Sequence, residues 1–570
     1  MKRRKFFEII GIGAGAAAAF PLNSKAHSIQ NVISGKGVPN FPVSDWKAVV
    51  DEGWGTGGAE AGPGTWDGVP LKSPSIQGLA GDGPFKPDWN SLLKYETPEW
   101  YQDAKFGIWA HWSPQCVPED SDWYARNMYI QGQGQYDYQL SHYNHPSRFG
   151  YKDLCAQWTL LNWGPEEMIE RYKRAGARLF IALANHHDGF DTWDSKHHLW
   201  NAVNIGPKRD VIGAWAAAAR QQGLHFGVTV HAARNWWWFQ VAHLCDKTGS
   251  LKGVPYDGQL TEEMGENQWW QGFNPQELYG RKHGIHENPD EKYVRNFYDR
   301  VRDLIDQHDP DLLYFDNGGL PLGWAGMNLA AYFYNNNLKT RNGKLEAVLN
   351  IKQVPDELAK AVVADYERGV TARIMRCAWQ SETCIGDWHY NRQRFIDHSY
   401  MKPGEVIHWM VDAVSKNGTF ILNIPGKPDG TNDSEEIAIL EEIGSWMQTN
   451  GEGIYETRPW KVYGEGQHTI KSGAFAGNST ASLDSTDVRF TCSKAGNTVY
   501  AIILGWPDGK NFQVKSLGKA SSLHPEKIGK VELLGCVEKL EWNQSAEYLT
   551  VEKPSVKPCD FAYTLKINFT

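Results

Sequence analysis

Asp316 stands at the end of an apolar run in a chain of 570 residues. Residues 312–315 show no polar alternation, which is typical of a strand buried on both faces, and Gly318 and Gly319 mark the turn that follows. In barrels and open sheets of alternating strands and helices, the carboxyl ends of the strands carry the chemistry. Asp316 is therefore a candidate catalytic acid, and the alternative is an acid that caps the next turn or helix.

Other residues that can bind ligands or transfer protons end similar apolar runs. These residues are His111, His186, His187, His231 and Glu367, with Glu382 nearby. A barrel would bring them together at one mouth. Two carboxyl groups among histidines and tryptophans are what glycoside hydrolysis requires, because one acid must stay ionised while the other holds a proton for the leaving oxygen.

Two other chemistries fit the sequence less well. His186 and His187 beside Asp188 are possible metal ligands, but adjacent residues of a strand point to opposite faces and no HExxH spacing is present. No GxSxG elbow indicates a nucleophilic serine. We therefore predict that the site contains no metal and that the protein needs no other cofactor.

The composition favours a carbohydrate partner over a nucleic acid. The formal net charge is -9, so no basic surplus exists to neutralise phosphates or an anionic membrane surface. Aromatic residues make up 13% of the chain, with 26 Trp and 24 Tyr, and their rings can pack on the C–H faces of sugars. The alternative is that much of this tryptophan simply fills the core.

The N-terminus has the pattern of an export signal. Basic residues 2–5, including Arg3 and Arg4, precede an apolar run from Ile9 to Phe20 that is too short to span a membrane. The paired arginines indicate a twin-arginine signal over residues 1–26, with ordinary secretory export as the alternative. We predict a bacterial protein located in the periplasm or outside the cell, without a membrane partner once the signal is removed.

The rest of the chain divides into three parts. Residues 27–92 are rich in Gly, Pro and Ser and indicate an irregular arm. Residues 93–452 contain at least six or seven strand–helix alternations and no GxGxxG after an early strand, which predicts a (β/α)8-like TIM barrel catalytic domain with a Trp-rich insertion near 232–288. Short β-rich runs in residues 453–570 predict a C-terminal β-sandwich.

Several motifs resemble glycoside hydrolase family 29, the retaining α-L-fucosidases. The segment FGIWAHW at 106–112 resembles that family's FGIxxHWG, and SDWY at 121–124 resembles SEWY. NHHDGF at 185–190 and GPKRD at 206–210 resemble KHHDGF and GPKRD. Taken together with further matches to about residue 470, the resemblance is specific, although each piece alone is weak.

The resemblance implies a catalytic barrel, a C-terminal β-sandwich and Asp316 as the nucleophile. By the same match, the residues that would bind the sugar are His111, Asp122, Trp123, His186 and His187. Glu367 is the first choice for the acid/base because it ends a strand at a suitable distance after Asp316, and Glu382 is the second choice. Four further positions are candidate substrate-binding residues: His231, Trp236, Tyr314 and Trp388.

The implied function is an exported exo-α-L-fucosidase that hydrolyses terminal fucose by double displacement. The chain departs from the family pattern at Ser113, Asn185, His231 and Tyr314. These departures leave open a related sugar, such as an α-L-galactoside or a sulfated fucoside. The abundant tryptophan leaves open a non-catalytic carbohydrate-binding protein. An oligomer is compatible with the sequence.

Overall fold

The fold is that of a computed structural model, which describes residues 78–284, 287–524 and 526–570. The predicted export signal and residues 27–77 of the predicted arm lie outside this part of the chain, so both stay predictions. Within it, no helix combines the length and the apolar character needed to cross a membrane. All eight cysteines lie in the described residues, and each of them is a free thiol.

Eight parallel strands close into a barrel in chain order, and β1 pairs with both β2 and β8. This closure confirms the predicted (β/α)8-like TIM barrel. The strands are β1 Phe106–Ala110, β2 Leu179–Asn185, β3 His225–Val230, β4 Leu312–Gly318, β5 Val348–Lys352, β6 Val363–Glu367, β7 Trp379–Cys384 and β8 Gly418–Asn423.

Helices surround the barrel, and their ends carry the expected signals. Pro165 opens one helix with Glu166 and Glu167 in its first turn, where free N–H groups favour acids. The side chain of Asp290 caps another by accepting the Tyr293 N–H. The helices are Trp89–Leu92, Glu99–Ala104, Tyr124–Asn127, Gly134–His142, Tyr151–Gln157, Pro165–Arg174, Val211–Gln221, Asn235–Trp238, Pro275–Tyr279, Glu291–His308, Trp324–Thr340, Arg392–Ile396, Pro403–Ser415 and Ser434–Asn450.

The barrel departs from regular alternation around β6. Only a short 3-10 turn, Asp356–Leu358, lies between β5 and β6, and residues 368–378 between β6 and β7 contain no helix. A segment between β9 and β10 lies against this connection, since Val370 and Gly473 form an antiparallel bridge. The missing helix is therefore replaced by chain from the C-terminal region.

The barrel interior changes from apolar to charged along β4, β5 and β6. Alternate residues of a strand share a face, so Leu312, Tyr314 and Asp316 of β4 all point inward. Leu312 and Tyr314 belong to the apolar cluster inside the barrel. The same step of two residues leads from Val348 to Lys352 on β5. Strand periodicity thus places charged groups at the mouth above an apolar floor.

Eight further strands form two antiparallel sheets after the barrel, as predicted for the C-terminal region. The five-stranded sheet has the order β13-β16-β11-β10-β9, and the three-stranded sheet has the order β12-β15-β14. The predicted domain boundary near residue 453 stays a prediction. The strands are β9 Arg458–Glu465, β10 Val488–Cys492, β11 Thr498–Ile503, β12 Asn511–Val514, β13 Ile528–Leu533, β14 Trp542–Gln544, β15 Leu549–Glu552 and β16 Tyr563–Phe569.

The Trp-rich insertion packs against the barrel as short helical turns. Trp236, Trp237, Trp238 and Trp270 are all buried. Its buried Asp257 accepts hydrogen bonds from the hydroxyls of Tyr129 and Tyr279. These four tryptophans of the insertion therefore fill the core.

A buried ion cluster joins the barrel to the C-terminal sheets. The carboxylate of Asp412, in the helix Pro403–Ser415, lies 2.7 Å from Nε of Arg489 on β10 and 2.7 Å from Nζ of Lys416. All three side chains are at least 97% buried. One carboxylate therefore compensates two cations that cannot reach water.

The substitution Asp412→Asn should strongly destabilise the fold. It leaves two buried cations without an anionic partner, a change that costs about 3–5 kcal/mol in comparable cases. The midpoint of urea-induced unfolding, followed by tryptophan fluorescence, should fall accordingly. Glu170→Gln is the control, because the exposed Glu170–Arg174 pair contributes less than about 1 kcal/mol. Equal small effects of both substitutions would contradict the role given to Asp412.

Candidate active site

Asp316 lies at the mouth of the barrel with three cationic or imidazole partners. Its Oδ2 atom is 3.0 Å from Nδ1 of His231 and 3.3 Å from Nε2 of His187. Its Oδ1 atom is 2.5 Å from Nζ of Lys352. Burial alone would raise the pKa of Asp316, but Lys352 and the two histidines hold it well below its usual range. Asp316 is therefore an ionised carboxylate in the folded protein.

Lys352 lies between Asp316 and the two candidate acid/base residues. Its Nζ atom is 2.6 Å from Oε2 of Glu367 and 3.8 Å from Oε1 of Glu382. Although burial opposes its charge, the surrounding carboxylates raise the pKa of Lys352 well above its usual value. Because Asp316 and Glu367 contact the same nitrogen, their nearer oxygens are at most about 5 Å apart.

Glu382 occupies a different environment from Asp316. Its side chain is 99% buried, and Oε1 accepts a hydrogen bond of 3.0 Å from the hydroxyl of Tyr314. The same hydroxyl is 3.3 Å from Oδ2 of Asp365. Burial, together with the neighbouring Asp365, raises the pKa of Glu382 well above its usual value, and burial raises that of Asp365 to about 7. Glu382 is therefore protonated at neutral pH, and Asp365 is protonated in part.

Three histidines form one wall of the site. The ring centroids of His111, His186 and His231 lie 5.0 to 5.2 Å apart in every pair. Burial lowers the pKa of His111 and His186 well below the usual value and that of His231 to about 4, so their rings are neutral at pH 7. Within the described part of the chain, both ring nitrogens of His111 are buried and have no hydrogen-bond partner.

The structure contradicts the expectation that His186 and His187 point to opposite faces. Their ring centroids are only 4.4 Å apart, and each ring lies within 6 Å of the His231 ring. The reason is that β2 ends at Asn185, so the strand rule does not apply to the two residues after it. Both histidines therefore reach the same site.

Two groups of side chains at the mouth have nitrogen or oxygen atoms within 4.8 Å of one another, a geometry that could hold a metal ion. One group is His111, His186 and His231, and the other is His187, His231 and Asp316. Their shared member, His231, already contacts Asp316 and Thr229 through its two ring nitrogens. The metal-free site stays a prediction.

Asp122 and Trp123 lie at the rim of the site. The carboxylate of Asp122 accepts the backbone N–H of Trp388 at 2.9 Å and that of His389 at 2.6 Å. It thereby fixes the segment that carries Trp388, whose ring centroid is 5.5 Å from that of His111. Trp123 packs edge-on against His187, with ring centroids 6.2 Å apart.

Trp236 is not brought to the site. Its ring stacks on that of His283 at 4.2 Å, and its Nε1–H donates to the carbonyl oxygen of Glu287. Trp238 contacts the site instead, with its ring centroid 5.9 Å from that of His186 and 5.7 Å from that of His187. The prediction therefore selected the wrong tryptophan of the insertion, because residues two apart on a helical turn point in nearly opposite directions.

Sequence reasoning missed Lys352, Asp365 and His389. Lys352 is the last residue of β5, so a search for polar residues at strand ends could have selected it. Asp365 precedes Glu367 by two residues and shares its face of β6. His389, whose ring centroid is 4.8 Å from that of His111, lies in a loop and carries no comparable signal.

Comparisons with known proteins agree with the geometry. The family models described as Alpha-L-fucosidase and Alpha-L-fucosidase C-terminal domain match residues 76–452 and 482–568. The tissue alpha-L-fucosidase of Mus musculus is 27% identical over 513 residues, covering 85% of this chain and 94% of the mouse protein. The plasma alpha-L-fucosidase of Homo sapiens is 26% identical over 503 residues, covering 85% and 92%. The solved structure of Thermotoga maritima alpha-fucosidase has a TM-score of 0.61 at 25% identity, covering 85% of this chain and 100% of that one.

Replacing Lys352 by Met should destabilise the folded state in a pH-dependent way. In the native protein the depressed pKa of Asp316 contributes stability at pH values above the pKa of the unfolded group, about 3.9. Without the ammonium group, the pKa of Asp316 rises. The free energy of unfolding of the variant should therefore be lower by about 3–5 kcal/mol at pH 7. The difference should shrink toward pH 4 as the carboxyl groups bind protons.

Urea unfolding of both proteins at pH 7, 6, 5 and 4 would measure this difference. Lys196→Met is the control, because the Lys196 side chain is 69% exposed and 3.7 Å from its acidic partner. The free energy of unfolding of the control should be close to that of the native protein at every pH. A Lys352→Met loss of equal size at pH 7 and pH 4 would show that packing rather than charge explains it.

Proposed function

The chain belongs to the alpha-L-fucosidase family and is a glycoside hydrolase, and on that premise we propose that it releases terminal α-L-fucose with retention of configuration. The proposal is an exo-acting enzyme that works by double displacement. Its substrate is a fucosylated oligo- or polysaccharide. Asp316 is the proposed nucleophile and Glu367 the proposed acid/base.

The spacing of the two carboxyl groups is the observation that carries this proposal. Asp316 and Glu367 both contact Nζ of Lys352, so their nearer oxygens are at most about 5 Å apart. Retaining glycosidases hold their two carboxyl groups about 5–5.5 Å apart, whereas inverting enzymes leave about 6.5–9.5 Å for a water molecule. The short separation favours direct attack by Asp316.

In the first step a carboxylate oxygen of Asp316 attacks the anomeric carbon of fucose. The bond to the leaving oxygen breaks, and Glu367 transfers its proton to that oxygen. Lys352 and the two histidines keep Asp316 ionised, so the attacking group is already an anion. The products are the released alcohol and a fucosyl ester of Asp316.

In the second step water hydrolyses this ester. Glu367, now deprotonated, accepts a proton from the water as its oxygen attacks the anomeric carbon. The bond to Asp316 breaks, and the carboxylate is restored with its original partners. Two inversions at the same carbon give overall retention.

We assign the proton transfer to Glu367 rather than Glu382 on the basis of access. The Glu367 side chain is 21% exposed at the mouth, while that of Glu382 is 1% exposed and bonded to Tyr314. A leaving group that departs toward solvent passes the more exposed acid. Glu382 keeps a proton and thereby limits the negative charge around Lys352.

The neutral histidines are the proposed partners of the fucose hydroxyls. His111 offers two unpaired ring nitrogens, one able to donate and one able to accept. The departures from the family pattern do not all line the pocket, since Oδ1 of Asn185 accepts the backbone N–H groups of His231 and Ala232. Asn185 therefore positions His231.

Export from the cell belongs to the proposal as well. The basic and apolar pattern of residues 1–26 supports it, with the paired Arg3 and Arg4 indicating the twin-arginine route of bacteria.

Asp316→Gly should abolish turnover, and azide should restore it in part. Removal of the nucleophile is expected to lower kcat on an aryl α-L-fucoside by roughly 10⁴-fold or more. Azide can enter the vacated space and attack the anomeric carbon, which forms β-L-fucosyl azide. Anomeric proton signals in NMR would identify this product. Unchanged activity, or a rescue product of α configuration, would contradict the role of Asp316.

Glu367→Ala should separate the two steps of the reaction. With a good leaving group the first step needs no proton, so a burst of product should precede slow hydrolysis of the fucosyl-enzyme. Substrates with poor leaving groups should lose about 10²–10⁴-fold in kcat/KM. Glu382→Gln is the comparison, and it should lower kcat/KM for all substrates by a similar and smaller factor. A burst in Glu382→Gln and none in Glu367→Ala would exchange the two assignments.

A further inference from the structure

A segment of the C-terminal region is bonded to the turn that follows Glu367. This segment, residues 473–477, lies between β9 and β10 and is called the strap below. The N–H of Phe475 donates to the carbonyl oxygen of Glu367 at 2.8 Å, and that of Gly477 donates to Arg368 at 2.8 Å. Val370 and Gly473 exchange two further backbone bonds of 3.3 and 2.7 Å. The strap thus extends along the turn as an added strand would.

The strap is tightly packed against Gly369 and Trp409. A Cβ atom added to Gly477 would lie 1.7 Å from the ring of Trp409, and one added to Gly369 would lie 2.7 Å from the carbonyl oxygen of Gly473. Nε1 of Trp409 donates to Oγ of Ser381, which in turn donates to the carbonyl oxygen of Gly369. The position of the strap relative to Glu367 is therefore fixed by close contacts on both sides.

Phe475, in the middle of the strap, is unusual in two respects. Its φ angle is +59°, in the left-handed region that non-glycine residues rarely adopt. Its side chain is 66% exposed, although large apolar side chains of this protein are mostly buried. Neither property stabilises the fold, since the backbone conformation costs energy and the ring gains little burial. The exposed ring of Phe475, in a segment bonded to Glu367, is therefore a candidate ligand-binding group.

We propose that Phe475 binds the leaving-group sugar, the residue to which the terminal fucose is attached. The proposal rests on the assignment of Glu367 as the acid/base, because the acid must lie beside the leaving oxygen. The N–H of Phe475 donates directly to the carbonyl oxygen of Glu367, so the strap lies beside the residue that carries this acid.

A pyranose ring is the ligand that suits an exposed phenyl ring at this place. One face of a pyranose presents C–H groups, which pack on an aromatic ring, while its hydroxyl groups stay at the polar edge. The strap therefore makes the C-terminal region part of substrate recognition. It acts on the leaving group only, so the fucosyl-enzyme formed after the first step no longer depends on it.

Comparison of two substrates in the Phe475→Asn variant tests the proposal. Asn tolerates the left-handed conformation, so the substitution removes the ring while the strap keeps its backbone. One substrate is α-L-fucosyl fluoride, which has no leaving-group sugar, and the other is a fucosylated trisaccharide. The ratio of kcat/KM for the trisaccharide to that for the fluoride should fall about tenfold, and Phe475→Trp should restore it.

Val537→Asn is the matched control, because Val537 is fully exposed elsewhere in the C-terminal region. Its substrate ratio should equal that of the native protein. An unchanged ratio in Phe475→Asn would overturn the proposal, as would equal losses on both substrates, which would mean that the residue acts on the fold or on Asp316. Methyl α-L-fucoside needs a proton from Glu367 but has no leaving-group sugar, so the variant should hydrolyse it as the native protein does. A loss of kcat/KM on the methyl fucoside equal to that on the trisaccharide would mean that the residue acts through Glu367 and would also overturn the proposal. Turnover of the fluoride by the native enzyme tests the proposed reaction independently of Phe475.

Concentration-dependent self-association is measured on the same samples by analytical ultracentrifugation. Association of the native protein that Phe475→Asn abolishes, with the substrate ratio unchanged, would assign the exposed ring to contact between copies of the chain and overturn the proposal. A mass independent of the substitution, together with a lowered ratio, supports it.

Discussion

One buried ammonium group, that of Lys352, governs the charge of the barrel mouth. Four carboxyl groups lie around it: those of Asp316, Glu367, Glu382 and Asp365. Four ionised acids in so small a volume would repel one another and lose their hydration. The arrangement avoids this because Asp316 remains charged at short range from the ammonium, while Glu382 keeps its proton and Asp365 is protonated in part. Unequal protonation of neighbouring acids follows from where the single cation lies.

The barrel supplies this arrangement through the regular alternation of its strands. Inward-facing residues two apart on β4, β5 and β6 lead from Leu312, Val348 and Val363 at the floor to the charged groups at the mouth. The rigid apolar floor holds each strand end in place, so that a lysine on β5 reaches acids on β4 and β6. The register between strands thus sets the distance between Asp316 and Glu367, the two proposed catalytic groups.

The sequence was sufficient for the barrel, because buried strands leave a local pattern. The same pattern selected Asp316, which the structure places at the barrel mouth. Lys352 was not selected from the sequence, since a lysine at the end of a strand resembles an ordinary surface residue. Trp236 was chosen over Trp238 because the direction of a side chain on a short helical turn depends on where that turn begins. The contact between the strap and Glu367 joins residues about a hundred positions apart, and no local pattern encodes such a distance.

The connection between β6 and β7, which contains no helix, also affects the order in which the chain folds during synthesis. Translation delivers all eight barrel strands before the ribosome reaches residue 473, and domains generally fold in order of synthesis. At that stage the turn after Glu367 lacks the backbone partners that the finished chain provides. The connection after Glu367 therefore reaches its final backbone pairing only after residues 473–477 have been synthesised.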